Sequence, residues 1–178
     1  MNILLPFRII VRPALTLALA FGVAFSSANA ATASGIDSKA AFARMKSLSG
    51  DWTGPKMMGY RMNMNFRVIA AGSAVLATCF AGTPNEMITV YYLNGDKLVQ
   101  THYCVFGNQP HLKLNMKKSS ADTLVFDFAG GDNIKSTKMN MHAQTLRFVG
   151  RNKIENTCTS EENGKPGTAH TAVLLRKL

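Results

Sequence analysis

The sequence is poor in charge and especially poor in acid. Charged side chains make up 17% of its 178 residues, with 10 Asp and Glu against 20 Lys and Arg, while apolar side chains make up 47%. This composition excludes a disordered tail, a collagen and a coiled coil. It favours one packed domain, because the chain has the usual length for one.

The sequence also lacks the motifs of several enzyme classes. It has no Gly-x-Ser-x-Gly motif and no paired carboxylates at helical spacing, and Asp127 is the best-placed single acid on a predicted strand. The glycine-rich segment at 130–133 lies between predicted strands and precedes no helix, so it is not a phosphate-binding loop. Cys104 and His102 are two residues apart on one strand, about 6.5 to 7 Å, which is too far for a nucleophile and its base. We assign no catalytic residue and expect a binding protein rather than an enzyme.

A dense basic stripe with interleaved aromatic residues is missing as well, so the sequence does not predict nucleic-acid binding. The formal net charge is +10, but the basic residues are scattered, and Lys117-Lys118 and Arg176-Lys177 are the only adjacent pairs. Such scatter predicts at most weak association with anionic surfaces.

The first 30 residues predict a cleaved secretory signal peptide. Arg8 and Arg12 precede an apolar run at 14–25, and Ala28-Asn29-Ala30 is a small-x-small cleavage site that places the cut before Ala31. The run is too short to span a hydrocarbon core of about 30 Å, and an uncleaved anchor is the alternative. We expect a periplasmic or secreted protein with no transmembrane segment in the mature chain.

Cysteine is sparse, with Cys79, Cys104 and Cys158 only. In an oxidising compartment these three allow at most one intramolecular disulfide, and all three pairings stay open. The alternative is three small buried hydrophobic residues.

The mature chain, residues 31–178, predicts one short helix followed by strands. Residues 36–48 have Asp37 or Ser38 as N-cap and an apolar stripe that stops before Gly50, which predicts a helix over about 37–48. Strict alternation at 60–68 predicts a strand with one wet face. Further strands are predicted around Trp52 and at 73–80, 86–93, 97–105, 111–116, 123–128, 138–149, 153–159 and 168–176.

Short turns connect these strands, and no helix-length segment interrupts them. The sequence therefore predicts an all-β fold, an up-and-down antiparallel meander of about 8–10 strands over about 51–177. Closure into a barrel removes the two exposed edges of an open sheet. A β-sandwich is the alternative.

Gly50-Asp51-Trp52 follows the helix at the start of the first strand, and Arg176 lies near the end of the last. Together with the meander, this arrangement resembles the lipocalin and calycin barrels. The resemblance implies a calycin-like barrel whose closed end is plugged by Trp52, with Arg176 across it as a cation–π lock.

A second resemblance is to a group of uncharacterised exported bacterial proteins. It is carried by Thr101-His102-Tyr103-Cys104 and Gly107-Asn108-Gln109-Pro110, together with segments at 86–91, 126–128 and 141–142. It implies no settled activity. Cys158 stands where this resemblance leads us to expect a bulky aromatic residue.

Asn94-Gly95 predicts a two-residue type I′ turn between two strands. The pairs that follow are Tyr91 with Leu98, Thr89 with Gln100 and Met87 with His102. We expect the face that carries His102 and Cys104 to line the barrel lumen. The candidate ligand contacts are Tyr91, Thr89, Gln100, His102, Cys104, His142 and Met64.

The leading hypothesis is an exported protein that holds a small apolar or amphipathic ligand in the lumen. Methionine is frequent and adapts to varied ligands, although ordinary core packing is the simpler explanation of Met57, Met58, Met62, Met64, Met116, Met139 and Met141. The first alternative is a haem or metal-binding or redox protein that uses His102, Cys104 and His142. Met62 and Met64 form no dense Met-x-x-Met cluster for copper. The second alternative is a non-catalytic envelope protein with a basic surface.

Overall fold

A computed structural model describes residues 35–135 and 138–178. The predicted signal peptide, residues 1–30, lies outside the described residues. The chain forms one α-helix and then ten strands: α1 Ser38–Lys46, β1 Gly50–Met57, β2 Tyr60–Ile69, β3 Ala74–Cys79, β4 Met87–Asn94, β5 Lys97–Tyr103, β6 Gln109–Leu114, β7 Thr123–Asp132, β8 Asn140–Phe148, β9 Lys153–Glu162 and β10 Lys165–Arg176. A short 3₁₀ turn, Ala70–Gly72, connects β2 and β3. This confirms the all-β prediction with one helix before the strands.

The ten strands form a closed antiparallel barrel. Each strand pairs with its neighbours in the chain, and β1 also pairs with β10 through Trp52 opposite Arg176. Closure leaves no open edge, which confirms the predicted barrel and excludes the β-sandwich. The architecture is compatible with a calycin-like fold.

Helix α1 packs at one end of the barrel, which we name the closed end. The Asp37 carboxylate accepts a hydrogen bond from Ala40 N–H at 2.8 Å, so Asp37 rather than Ser38 is the N-cap. The helix buries Ala41, Phe42 and Met45 and contacts β2, β4 and β5. Its apolar stripe therefore joins the barrel core. In the described part of the chain, no helix is long and apolar enough to cross a membrane.

Trp52 and Arg176 meet at the closed end. Trp52 is fully buried, and its indole N–H donates to the Leu48 carbonyl at 2.8 Å. The Arg176 guanidinium lies 4.3 Å from the Trp52 ring centroid and donates to the carbonyls of Ser47 and Ser49. Gly50 has a φ of 121°, and a Cβ there would lie 3.1 Å from Arg176 Nη1. Glycine at this position thus suits both the backbone and the approach of the guanidinium.

The hairpin between β4 and β5 corrects the predicted register. Asn94 pairs with Lys97, so the turn residues are Gly95 and Asp96 rather than Asn94 and Gly95. Gly95 has a φ of 61° and Asp96 has no positive φ, a pattern that fits a type II′ turn and not the predicted type I′ turn. The pairs are therefore Thr89 with His102 and Tyr91 with Gln100. Because each partner shifts by two residues, every side chain keeps its predicted face.

Two glycines predicted to lie in a turn belong to strand β7 instead. Gly130 pairs with His111 and Gly131 pairs with Pro110, so β7 continues four residues beyond the predicted end at 128. A Cβ at Gly131 would lie 2.7 Å from the Gln109 carbonyl oxygen. The glycine therefore permits a close approach of β6 rather than a chain reversal.

Candidate functional site

A cavity of about 180 Å³ occupies the end of the barrel opposite α1, which we name the open end. Its wall is mostly apolar and rich in sulfur. The lining residues are Met57, Met58, Met62, Met64, Cys79, Phe80, Met87, Thr89, His102, Cys104, Phe106, Met139, Asn140, Met141, Gln144, Asn156, Cys158, Thr159, Ser160, His170 and Ala172.

The floor of the cavity is a buried hydrogen-bond network centred on Gln144. Its carboxamide oxygen accepts from the Tyr91 hydroxyl at 3.0 Å and from Gln100 Nε2 at 2.9 Å. Its nitrogen donates to Asn156 Oδ1 at 3.0 Å. Tyr91, Gln100, Gln144 and Asn156 are all at most 4% exposed. These four residues, which we name the polar belt, come from β4, β5, β8 and β9 and cross the interior of the barrel.

Two buried acceptors in this region have no partner among the described residues. They are Gln100 Oε1 in the polar belt and Asn140 Oδ1 in the cavity wall, on side chains 0% and 3% exposed. A buried carbonyl oxygen without a hydrogen bond costs about 1 to 3 kcal/mol. A polar group placed in the cavity beside Asn140 would relieve that cost.

His102 faces the cavity and is held by Thr89. The Thr89 hydroxyl and His102 Nδ1 lie 2.8 Å apart. Burial lowers the pKa of His102 from 6.5 to about 4, because a charged imidazole is poorly solvated there. The ring is therefore neutral near pH 7 and offers one hydrogen-bond donor and one acceptor.

All three cysteines line the cavity as free thiols. Burial raises the pKa of Cys79 to about 12, with a further contribution from the charge of Cys158, and raises the pKa of Cys158 to about 11. Burial also raises the pKa of Cys104. The three thiols are protonated at neutral pH, so they act as apolar wall groups rather than as nucleophiles.

An apolar rim surrounds the mouth of the cavity. Met58, Phe106 and Met139 each line the cavity and are also 38 to 46% exposed. They come from the β1–β2 turn, the β5–β6 connection and the segment before β8. Exposed apolar groups gathered at one opening are typical of a binding site.

Six of the seven predicted lumen residues face the barrel interior, in two groups. Thr89, His102, Cys104 and Met64 line the cavity. Tyr91 and Gln100 face the interior but lie below the cavity, in the polar belt.

His142 is a correction, because it is absent from the cavity wall. A β-bulge in β8 lies between Met141, which pairs with Ser160, and Ala143, which pairs with Thr159. The extra residue is His142, whose ring stacks on Phe128 at 4.6 Å between centroids and lies 3.3 Å from the Glu161 carboxylate. The bulge interrupts the alternation of faces and leaves Met141 in the wall instead.

Several lining residues were not predicted. Gln144 and Asn156 lie on strands whose outward-facing residues are polar as well, so alternation did not single them out. Cys79 and Cys158 were considered as disulfide candidates or as small buried hydrophobic residues, and not as lumen residues. His170 lies on β10 opposite Cys158, and both line the cavity. The parity of β10, whose even-numbered Ala172 and Leu174 are buried, places His170 on the inner face of the strand, but the residue lies at the mouth of the cavity and its side chain is exposed.

The predicted metal or haem ligand set does not assemble. Within residues 35–135 and 138–178, no three His, Cys, Asp or Glu side chains form a group that could hold a metal ion. His102 and Cys104 face the cavity, but the third ligand of that set, His142, lies outside it.

Comparison with known protein families and with curated proteins finds no match for the chain.

Proposed function

We propose that this chain is an exported, lipocalin-like binding protein that holds a small apolar or amphipathic ligand in the open end of its barrel. The observation that carries the proposal is the cavity wall, in which methionine, phenylalanine and cysteine side chains surround a few directed polar groups. Ligand sites are usually built in this way, with apolar walls for affinity and a few polar groups for orientation.

The size of the cavity limits the ligand. A cavity of about 150 Å³ is enough for a benzene-sized molecule, and this one measures about 180 Å³. It therefore suits a single aromatic ring or the end of an acyl chain, with the rest of a longer ligand at the apolar rim. Methionine side chains have three rotatable bonds and can move to fit different shapes.

Polar groups in the wall favour an amphipathic ligand over a pure hydrocarbon. Asn140 Oδ1 is a buried acceptor without a partner among the described residues, and His102 offers a neutral ring nitrogen. A ligand hydroxyl or amine could donate to the Asn140 oxygen. We propose that this contact orients the ligand.

Export and domain limits are part of the same proposal. Arg8 and Arg12, the apolar run at 14–25 and Ala28-Asn29-Ala30 support a signal peptide over residues 1–30 and a mature barrel domain over 31–178. Sequencing the N-terminus of the periplasmic protein tests this part, and a chain that still begins at Met1 would contradict it.

The binding proposal is tested with N-phenyl-1-naphthylamine, an apolar dye whose fluorescence rises in an apolar site. Ala172 lies in the cavity wall and is 1% exposed, whereas Val173 is on the outer face of the same strand. We expect A172F to fill the cavity and weaken dye binding about tenfold or more, while the matched control V173F binds as the wild type does.

Far-UV circular dichroism shows whether each variant is folded, and M141W serves as a second cavity-filling variant. Absence of dye binding to the wild type, or equal binding by the folded A172F and M141W variants, would overturn the proposal. Native mass spectrometry of the protein from periplasm then reports the mass of any ligand that stays bound.

A further inference from the structure

Sulfur-containing side chains are concentrated in the cavity wall. Seven of the ten methionines and all three cysteines of the chain line this one space. Leucine or valine would fill the same volume with fewer rotatable bonds. We therefore ask what chemistry so many sulfur atoms around one cavity could support.

Three of these sulfur residues form a row across neighbouring strands. Met64 on β2 lies directly opposite Cys79 on β3, and Cys79 lies directly opposite Met87 on β4. All three side chains face the cavity. Directly opposed residues on adjacent strands have Cβ atoms about 4.5 to 5.5 Å apart, so the three side chains can converge on one point above the sheet. We name this set the sulfur row.

A fourth sulfur approaches the row from β9. Met64 Sδ lies 4.0 Å from Asn156 Nδ2, and Cys158 Sγ lies 3.8 Å from Asn156 Oδ1. Both sulfurs therefore contact the same carboxamide.

We infer that the sulfur row, with Cys158, is a binding site for a soft monovalent metal cation of the Cu(I) class. Thioether and thiolate sulfur are the ligands that select Cu(I), whereas hard cations take oxygen ligands. In the described residues the cavity wall contains no carboxylate, and no three His, Cys, Asp or Glu groups are arranged for a metal ion. The thioethers of Met64 and Met87 would supply the ligands that a site made of His, Cys, Asp or Glu alone lacks here.

The charge of the site also suits a monovalent ion. Binding replaces the proton of the Cys79 thiol by the metal, and the proton leaves to water, while Cys158 keeps its proton and lies beside the bound ion as a neutral thiol. The two thioethers bind as neutral donors and lose no proton. One thiolate and one Cu(I) ion together are neutral, so the pair can remain in an apolar cavity, where a divalent ion would leave an uncompensated charge.

The inference does not rest on the proposed function, and Cu(I) itself is the probe that tests it. Reduced protein is titrated without oxygen against the Cu(I)–bicinchoninate complex, whose absorbance falls as the protein takes the metal. We expect one Cu(I) per chain. C79A, M64L and M87L should each weaken binding about tenfold or more, because loss of even an outer partner of a metal site costs that much.

Met116→Leu is the matched control, since Met116 is 50% exposed and outside the cavity wall. It should bind Cu(I) as the wild type does, and Zn(II) should not compete. A wild-type protein that takes no Cu(I) from the chelator overturns the inference, and so does unchanged affinity in M64L, M87L and C79A. The leucine variants keep the cavity apolar, so retained dye binding by these variants separates failure of the metal site from failure of the proposed function.

Discussion

Replacement of Gln144 by leucine tests whether the polar belt stabilises the barrel. Leucine is close to glutamine in size but cannot form hydrogen bonds. The change removes the Gln144 partner of three buried groups, the Tyr91 hydroxyl, Gln100 Nε2 and Asn156 Oδ1. Of these, only Asn156 Oδ1 keeps another contact, the weak one from the Cys158 thiol at 3.8 Å. We expect Q144L to be folded and clearly destabilised.

The magnitude follows from the number of groups left unpaired. Each buried polar group that loses its partner costs about 1 to 3 kcal/mol. Two groups without a partner and a third with only a thiol contact give a loss of about 3 kcal/mol in the free energy of unfolding, after the gain from the added apolar side chain. Tyr91→Phe removes one donor, while Gln144 still accepts from Gln100, so Y91F should cost only about 1 kcal/mol.

Urea unfolding followed by the fluorescence of Trp52 measures both values, because Trp52 is the only tryptophan. The double variant Y91F/Q144L gives the coupling between the two sites. Because the Tyr91 hydroxyl is absent from the double variant, Q144L leaves one fewer buried group without a partner. Q144L should therefore cost about 1 kcal/mol less in the Y91F background than in the wild type. A cost below about 1 kcal/mol for Q144L alone, or strictly additive losses, would refute the argument.

Two further predictions concern His102 and Arg176. The pKa of His102 is lowered to about 4 in the folded state, so the unfolded chain binds the proton first, and stability falls as the pH drops from about 6.5 towards 4. The full loss in the free energy of unfolding over this range is about 3 kcal/mol. In urea unfolding at a series of pH values, H102N should show a weaker pH dependence of stability than the wild type. Identical pH dependence in the two proteins would contradict this. Arg176→Ala removes the guanidinium that lies over Trp52 and donates to the carbonyls of Ser47 and Ser49, so it should lower the free energy of unfolding by about 2 kcal/mol. R176K should restore less than half of this loss, because a lysine ammonium lacks the planar guanidinium that makes both hydrogen bonds. Equal stability of R176K and the wild type would argue against the fork geometry.

Periodicity alone predicted most of the fold. The alternation at 60–68 became β2, and Asp37 became the N-cap of α1. These features depend on neighbours in the chain, which the sequence displays directly. Closure of the barrel was inferred from the cost of open edges, and the pairing of Trp52 with Arg176 confirms it.

Local backbone irregularities account for what the sequence did not predict. The turn moved by one residue because the positive φ of Gly95 is used at the first central position rather than the second. His142 left the lumen because β8 has a bulge at that point. Neither a turn type nor a bulge has a unique residue pattern, so periodicity cannot place them.

The sulfur row could not be found from spacing along the chain. Met64, Cys79 and Met87 are far apart in sequence and meet only because β2, β3 and β4 pair in this register. A Met-x-x-Met pattern is a feature of one segment, whereas this set is assembled by three strands. The register is fixed only by the fold as a whole.

The polar belt divides the barrel interior into a lower and an upper layer with different roles. Below it, Leu98, Leu146 and Ile154 fill the closed end without exposure to water. Above it, the same strands carry His102, Met141 and Cys158 around the cavity. Substitutions in the upper layer can therefore change what the protein binds, while the packed lower layer maintains the fold. The open end is thus the part of the barrel where binding specificity can diverge or be redesigned.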